Sequence, residues 1–464
     1  MLNYNLENII SEGAYGKVWK AKRGEKDVAI KQLDAFNSVN ISELDITRKV
    51  SHPNIIIFLD IFYSERNFYY VMPIAKTSLR KYVPKGGLLS NDYIRTFSFE
   101  LISAINYLHK KGIFHCDVKP DNILIFEKDG EDTLVLADMG LAQYLNNEVS
   151  ICQTIIYAAP ELYKYHDINL GVMLGDENKL NRSTAEIFSI GAVMLFMITG
   201  ENPFLPLEGE NFRSQMIDFV SDHKKYIDEK LLGHTDEFTD ILYATMEPRQ
   251  EDRIKTTIEI LQNEVFLDFN FDVPTPGLDL QETNRYGFSC SDNLKLLVSW
   301  ILEVCRHLNL RIVTTITAID IVYRSQKVFV KRTEDLQLLA CSAIIISAFV
   351  LENYGESLFP ELQRLSRNIF TEEELRASYI RLIGDLQGIL YLENVYDYAV
   401  SLDMLKKYLE VFLVCDKFLA VKDDLPKFKY DITQRETKAQ MRKRANKDVK
   451  VSSISSFLSQ FINK

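Results

Sequence analysis

Short runs of alternating apolar and polar residues open the chain. "KVWKAKR", "DVAIKQL" and "FYYVMPI" follow one another over residues 1–75, separated by turns. Period-two alternation of this kind predicts strands. From residue 90 to 270 the period lengthens and the pattern is mostly helical. Near residue 270 the texture breaks: "DFNFDVPTPGLDLQETN" carries Pro274, Pro276 and Gly277, which predicts a linker. Helical patterns then run almost without interruption to about Leu419. Leu294, Leu297, Val298, Ile301, Val304, Cys305 and Leu308 form the stripe of an amphipathic helix, and Leu402, Leu405, Leu409, Phe412 and Leu419 form another. The longest apolar runs, Ile187–Ile198 and Ala340–Leu351, fall short of the ~18 residues of a membrane span and predict buried core helices. Beyond Lys422 the chain turns polar and basic ("KAQMRKRANKDVK"), which predicts a solvated tail; Ile454, Phe457, Leu458 and Phe461 mark one face of a short helix near its end.

Composition narrows this picture. The chain has 464 residues, 47% hydrophobic and 26% charged, enough for two or three packed domains. A net charge of −11 argues against nucleic acid or a membrane surface as partner of the body of the protein. Six cysteines without a C-x-x-C pair read as reduced thiols in an intracellular setting, cytoplasmic or nuclear. The start, "MLNYNLENIISEG", has no basic stretch followed by an apolar core, so no signal peptide is expected.

The candidate chemistry lies in the first half. "SEGAYGKV" places Gly13, Ala14, Gly16 and Val18 in a glycine-rich turn, and "VAIK" follows with Ala29 and Lys31. Glu43 stands nine residues before "HPN" at His52. "FHCDVKPDN" supplies Asp117, Lys119 and Asn122, "DMG" supplies Asp138, and "AAPE" supplies Glu161, to be paired with Arg253 of "EDRI". Phosphoryl transfer asks for placed cations, a placed hydroxyl and a base, and this is such a set in register. Each residue alone reads as a surface charge. Lys31, Glu43, Asp117, Asn122 and Asp138 in this order do not.

Residues 4–267 therefore resemble a serine/threonine protein kinase. The resemblance implies an α+β bilobal kinase fold, with ATP and Mg²⁺ as cofactors and Ser/Thr-bearing proteins as substrates. It implies that Lys31 pairs with the α- and β-phosphates and with Glu43. Met72 lies at the back of the adenine pocket, with Ile74 in the Pro73–Ala75 hinge. Asp117 takes the substrate proton, Lys119 steadies the γ-phosphate, and Asn122 and Asp138 hold the metal. Thr154 sits near Asp117.

"GAYGKVWKA", "SHPNIIIFLDIF" and "NSVNISE" are closest in pattern to cyclin-dependent kinases. "VSWILEV", "AIDIVYR", "LQLLACSAIIISAF" and "FTEEELRASY", within residues 285–395, resemble a cyclin box, an all-α cyclin-like domain. The bland alternative is a helical appendage of other origin. The expected division is a kinase domain over 1–268, a linker over 269–284, a cyclin-like domain over 285–420 and a basic tail over 421–464.

Departures from the family pattern bear on control. Cys116 replaces the Arg that grips a phosphorylated activation loop, and the phospho-acceptor position falls on Val149, beside Ser150. The loop is about four residues short of the cyclin-dependent pattern. These losses predict a kinase that needs no activation-loop phosphate and is switched on in cis by its cyclin-like half, as a monomer. A tether raises the effective concentration of that half to the order of mM, so weak contacts suffice. The cyclin's charged grip is expected to be lost, its Lys position falling near Ala348–Phe349 and its Glu position near Asp385. Glu186, where an Asp braces the catalytic loop, predicts a looser loop. Met139 in place of Phe keeps an apolar plug, and about a dozen extra residues before Arg182 reshape the substrate surface. Ala158, in place of an Arg, weakens the case for proline-directed specificity. Tyr15 stands where such kinases are inhibited by phosphorylation and equally where a structural loop aromatic stands. A Cys116–Cys152 redox pair is the lesser reading of those thiols. The competing functions are a catalytically inactive kinase–cyclin scaffold and an active kinase whose helical half serves an external partner.

Overall fold

A computed structural model describes residues 4–13, 16–64, 66–86, 89–144, 154–166, 180–204, 210–269, 292–329, 334–352, 354–386, 388 and 390. The expectations for Ala14, Tyr15, Val149, Ser150, Cys152, the linker from 270 onward, the second helical stripe and the tail lie outside these residues. The chain forms two compact units, one of Met1–Asp34 with Ile46–Asp279 and one of Ala35–Asp45 with Leu280–Lys464.

The first unit begins with an antiparallel sheet in the order β1-β2-β3-β5-β4. Its strands are β1 (Asn5–Gly13), β2 (Gly16–Arg23), β3 (Lys26–Asp34), β4 (Asp60–Ser64) and β5 (Asn67–Pro73). One face buries Ala21, Val28, Ile30, Tyr69 and Val71. The period-two pattern turns the alternate residues of β3, Ala29 and Lys31, to the other face. Gly16 has φ +127°, and a Cβ there would lie 2.3 Å from the Gln32 carbonyl oxygen. The glycine is thus demanded by packing of β2 on β3 and by a left-handed backbone, a constraint that applies before any phosphate arrives.

The helical part of this unit is built on α3 (Asn91–Lys110) and α4 (Arg182–Thr199). Asn181 caps α4 by accepting from the Ser183 and Thr184 amides, and Gly200, at φ 69°, ends it. From Thr184 to Thr199 the helix is buried all round, and from Ile190 to Ile198 it is apolar all round. Smaller helices α5 (Glu210–Ser221), α6 (His223–Leu231), α7 (Thr239–Thr245) and α8 (Thr257–Leu261) follow, with α7 packed on α4 and α8 on α3. The α4–α7 contact is close: a Cβ on Gly191 would meet Thr245 Oγ1 at 2.3 Å and Met246 Cγ at 2.7 Å. Gly191→Ala should therefore destabilise the protein by about 1–3 kcal/mol through overpacking, read from the denaturant midpoint.

Between sheet and helices run β6 (Thr77–Ser78), α2 (Leu79–Tyr82), β7 (Ile113–Phe114), β8 (Ile123–Lys128), β9 (Glu131–Leu136) and β10 (Gln143–Tyr144). β6, β8 and β9 form one small sheet, and β10 pairs with β7. Glu100 of α3 accepts the Leu134 amide of β9 at 2.8 Å. Burial raises its carboxyl to about 7 against the bonds from Leu134 and Asn54. An acid raised in the fold favours the folded state at low pH, and this contribution fades as pH climbs from the usual carboxylate range through about 7. Glu100→Gln should flatten that slope, seen as urea midpoints that change less between pH 5 and 8.

The second unit is helical: α9 (Asp292–His307), α10 (Ile312–Phe329), α11 (Glu334–Glu352), α12 (Leu358–Leu365) and α13 (Glu372–Asp385). Helix α11 is at its centre, packed on the other four. The predicted α9 stripe buries Leu297, Ile301, Val304 and Cys305, and Trp300, outside that stripe, is 1% exposed. Helix α13 starts with a capping box between Thr371 and Glu374. Helices α4 and α11 reach 18 and 19 residues, longer than the apolar runs within them, and most of each is buried in the protein, as expected of core helices.

Residues Ala35–Asp45 belong to this unit and include the first turns of α1 (Ser38–Lys49). The Tyr379 hydroxyl donates to the Ala35 carbonyl at 2.8 Å. Phe36 stacks on Tyr379 and meets Phe359 edge-on, both at 5.6 Å between ring centres. Arg376, held by Glu356 and Glu372, places its guanidinium 4.8 Å from the Phe36 ring centre and 4.3 Å from that of Phe359. The Asp45 carboxylate accepts the Leu390 amide at 2.6 Å, and Ser42 donates to the Val350 carbonyl at 3.5 Å. Ala348 and Phe349 are fully buried, so apolar packing does stand where a lysine was sought. Beside that packing, two neutral-partner hydrogen bonds hold the stretch, from the Tyr379 hydroxyl to the Ala35 carbonyl and from the Leu390 amide to the Asp45 carboxylate.

Candidate active site

Strand register gathers the first group of site residues. Val18 of β2 is opposite Lys31 of β3, and Ala29 is opposite Met72 of β5. Directly opposed residues share a face, as do residues two apart on one strand, so these four line one side of the sheet. Met72 packs with Leu124 against Ile56, Val135 and Ala137. Gly13 pairs with Gly16 at the β1–β2 turn, and Ile74 follows β5, partly buried.

The second group is wired together by hydrogen bonds. The His115 ring bonds the Ala137 carbonyl through Nε2 at 3.0 Å and takes the Asp117 amide on Nδ1 at 3.3 Å. That ties the backbone at Asp117 and the backbone at Ala137 to one ring. Asp117 Oδ2 faces Lys119 Nζ at 2.6 Å and Asn122 Nδ2 at 2.8 Å. Its Oδ1 accepts from the Thr154 hydroxyl at 3.0 Å and the Thr154 amide at 3.2 Å. Lys119 also donates to the Thr154 hydroxyl at 2.7 Å. The result is one oriented carboxylate with a cation beside it, 5% exposed. Asp138 stands at φ 64° and bonds Lys31 Nζ at 2.7 Å. Burial pushes its carboxyl up, but the Lys31 charge and hydrogen bond outweigh this and hold it below the usual range, ionised. Glu43 lies in the part of α1 that groups with the second unit and is 3% exposed.

Two departures become clear in the geometry. Cys116 adopts φ 62°, and its amide donates to Glu186 Oε1 at 2.6 Å, while Glu186 Oε2 bonds the His109 ring at 2.6 Å. The brace expected to loosen is made: the longer acid reaches both the loop and α3. Burial, reinforced by the Glu186 charge, pushes the Cys116 thiol well above its usual range, which suits a plain buried thiol and not a reactive one. The Glu161–Arg253 pair forms with two contacts, at 2.7 and 2.9 Å, on a fully buried guanidinium.

The protein kinase domain model matches residues 4–307, about two thirds of the sequence. The chain belongs to the protein kinase family. A second model, the cyclin N-terminal domain, matches residues 283–388. Among curated proteins the kinase is similar to calcium-dependent protein kinase 6 of Plasmodium berghei, 29% identical over 48% of this chain and 15% of that protein. It is similar to serine/threonine-protein kinase RAD53 of Saccharomyces cerevisiae, 29% identical over 43% of this chain and 26% of that protein. It is also 30% identical to calcium/calmodulin-dependent protein kinase cmkA of Emericella nidulans, over 43% of this chain and 48% of that protein. The chain thus spans half or less of the length of these relatives, which are kinases of several groups.

A protein kinase domain implies use of ATP, typically with Mg²⁺. The residues present fit that group. Asn122 gives its amide nitrogen to the Asp117 backbone and side chain, which leaves its amide oxygen as a ligand. With the ionised Asp138 this makes a hard-oxygen donor set of the kind that holds Mg²⁺. When bound, Mg·ATP supplies the transferable phosphoryl group with part of its charge neutralised. Lys31, anchored on Asp138, is the cation that would meet the phosphates, and the Val18–Ala29–Met72 face, with Leu124 packed beside Met72, would be the apolar bed for a base. Leu124 was missed in the sequence, although its place two residues after Asn122, on the strand leaving the loop, is a usable signal.

Proposed function

We propose that the protein is a serine/threonine kinase which transfers the γ-phosphoryl group of ATP to protein hydroxyls and is held in its working state by its own cyclin-like half. The observation that carries the catalytic part is the Asp117–Lys119–Thr154–Asn122 network, assembled among the described residues with a carboxylate oxygen oriented by each partner. Asp117 accepts the proton of the attacking hydroxyl, and Lys119 offsets charge on the transferring group. Lys31, bonded to Asp138, supplies the cation for the phosphates. Thr154 sets the Asp117 rotamer and marks the hydroxyl-substrate class.

Regulation in cis, and kinship with the cyclin-dependent group, belong to the same proposal. Their support is the cyclin N-terminal match and the grouping of Ala35–Asp45, the stretch leading into Glu43, with the C-terminal helices. The absence of an Arg at Cys116 supports independence from an activation-loop phosphate. The test is turnover on a mixed Ser/Thr peptide library by phosphatase-treated full-length protein, with Tyr379→Phe alongside. Activity that survives phosphatase and falls in Tyr379→Phe is the expected result. Equal activity in both proteins would reassign the helical half to recruitment, and Mg·ATP binding without turnover would mark an inactive scaffold.

A further inference from the structure

Helix α1 ends in Lys49, whose Nζ donates to the Tyr144 hydroxyl at 2.6 Å. The ammonium also lies 4.9 Å from the Tyr144 ring centre, so the same cation meets both the hydroxyl and the ring. Tyr144 lies in β10, six residues after Asp138, and is 7% exposed. Its backbone carbonyl accepts from Arg182 Nη1 at 2.9 Å, at the first position of α4. The Arg182 guanidinium lies 5.9 Å from the Phe114 ring centre, and β10 pairs with β7, where Gln143 meets Phe114 and Tyr144 meets Ile113. Three elements distant in sequence, α1, α4 and β7, converge on one buried tyrosine, and two of the contacts are cationic donors to a neutral residue.

We propose that Tyr144 is a positioning residue, a phosphate-free latch that fastens the segment after Asp138 to α1 through Lys49 and to α4 through Arg182. The inference deepens the proposed function, on which it rests for its kinetic consequence. With Cys116 next to this corner, no guanidinium comes from the catalytic loop; Lys49 and Arg182 reach in from the two helices instead. The Lys49 bond ties the end of α1 to β10, and α1 carries Glu43 on the same helix. Letting go at Tyr144 frees that end of the helix and the segment that follows Asp138.

The test uses the full chain in three variants, Tyr144→Phe, Lys49→Met and Lys49→Arg, read by kcat and by amide hydrogen exchange over α1 and β10. Loss of one buried hydrogen bond should raise exchange of Ile46–Lys49 and Tyr144 and lower kcat, each by about tenfold, in Tyr144→Phe and Lys49→Met. Lys49→Arg keeps a cationic donor and should stay within about threefold of the parent on both readouts. The double variant Tyr144→Phe/Lys49→Met should be no worse than either single one, because both remove the same bond. Unchanged exchange in Tyr144→Phe, or losses that multiply in the double variant, would overturn the latch. Should the parent protein show no turnover, the proposed function falls and the latch is judged on exchange alone, with the same two outcomes.

Discussion

Asp117→Asn should lower kcat of the full-length protein by about a thousandfold, within the 10²–10⁴ range of a lost general base. The substitution keeps the shape of the side chain. What it removes is the charge that faces Lys119 at 2.6 Å and the oxygen that accepts from Asn122 at 2.8 Å. An asparagine amide cannot take a proton from an incoming hydroxyl, and an NH₂ on the Lys119 side would set donor against donor. Because Asp117 is bonded to Lys119, Asn122 and Thr154 and not to Lys31 or Asp138, nucleotide affinity should hold within about threefold while kcat and kcat/KM fall together, the signature of an interaction made in the transition state. Steady-state kinetics with isothermal titration of Mg·ATP reads both quantities. A matching loss of nucleotide binding would mean that Asp117 organises the nucleotide bed instead.

Phe359→Ala should be the most damaging single change in the second unit. Phe359 is fully buried, meets Phe36, Phe349 and Tyr379 at 5.6, 6.2 and 5.4 Å between ring centres, and has the Arg376 guanidinium over it. Truncation of such a side chain costs about 3–5 kcal/mol, from lost transfer energy and the cavity left behind. Part of that loss falls on the packing of Phe36, and so on the stretch that leads into Glu43. Turnover is therefore expected to drop by about a hundredfold or more, alongside a lower thermal midpoint. Tyr379→Phe separates the two effects. It keeps the ring cluster and deletes the hydroxyl donor to the Ala35 carbonyl, at a cost of about 1–3 kcal/mol for an unsatisfied buried acceptor. Its midpoint should fall clearly less than that of Phe359→Ala while turnover falls about tenfold. If Phe359→Ala melts early yet turns over normally, the aromatic cluster serves the second unit alone.

The residues whose spacing is dictated by chemistry were the ones legible in the sequence. Lys31, Asp117, Asn122 and Asp138 sit at short, fixed intervals inside strands and tight loops, so reading along the chain finds them. Glu161 and Arg253 could be matched because both ends of the pair carry motifs. Contacts between distant elements were opaque. Nothing local to Tyr379 announces that its hydroxyl meets the Ala35 carbonyl, and nothing near Tyr144 announces Lys49 or Arg182. Glu186 was misjudged for a related reason: one extra methylene suggests slack, but His109 on α3 takes the second oxygen and the first still reaches the Cys116 amide. Trp300 escaped the α9 stripe because a buried helix presents a wider apolar face than strict spacing counts.

The central claim is an active kinase that needs no activation-loop phosphate. Its most direct test is the initial rate of phosphate transfer from Mg·ATP to a mixed Ser/Thr peptide library, by full-length protein shown by mass to be unphosphorylated, with Asp117→Asn as the control. Transfer by the parent, unchanged by prior phosphatase treatment and abolished in the control, is the predicted result. Mg·ATP bound without transfer, or transfer that appears only after the protein is itself phosphorylated, would contradict the account.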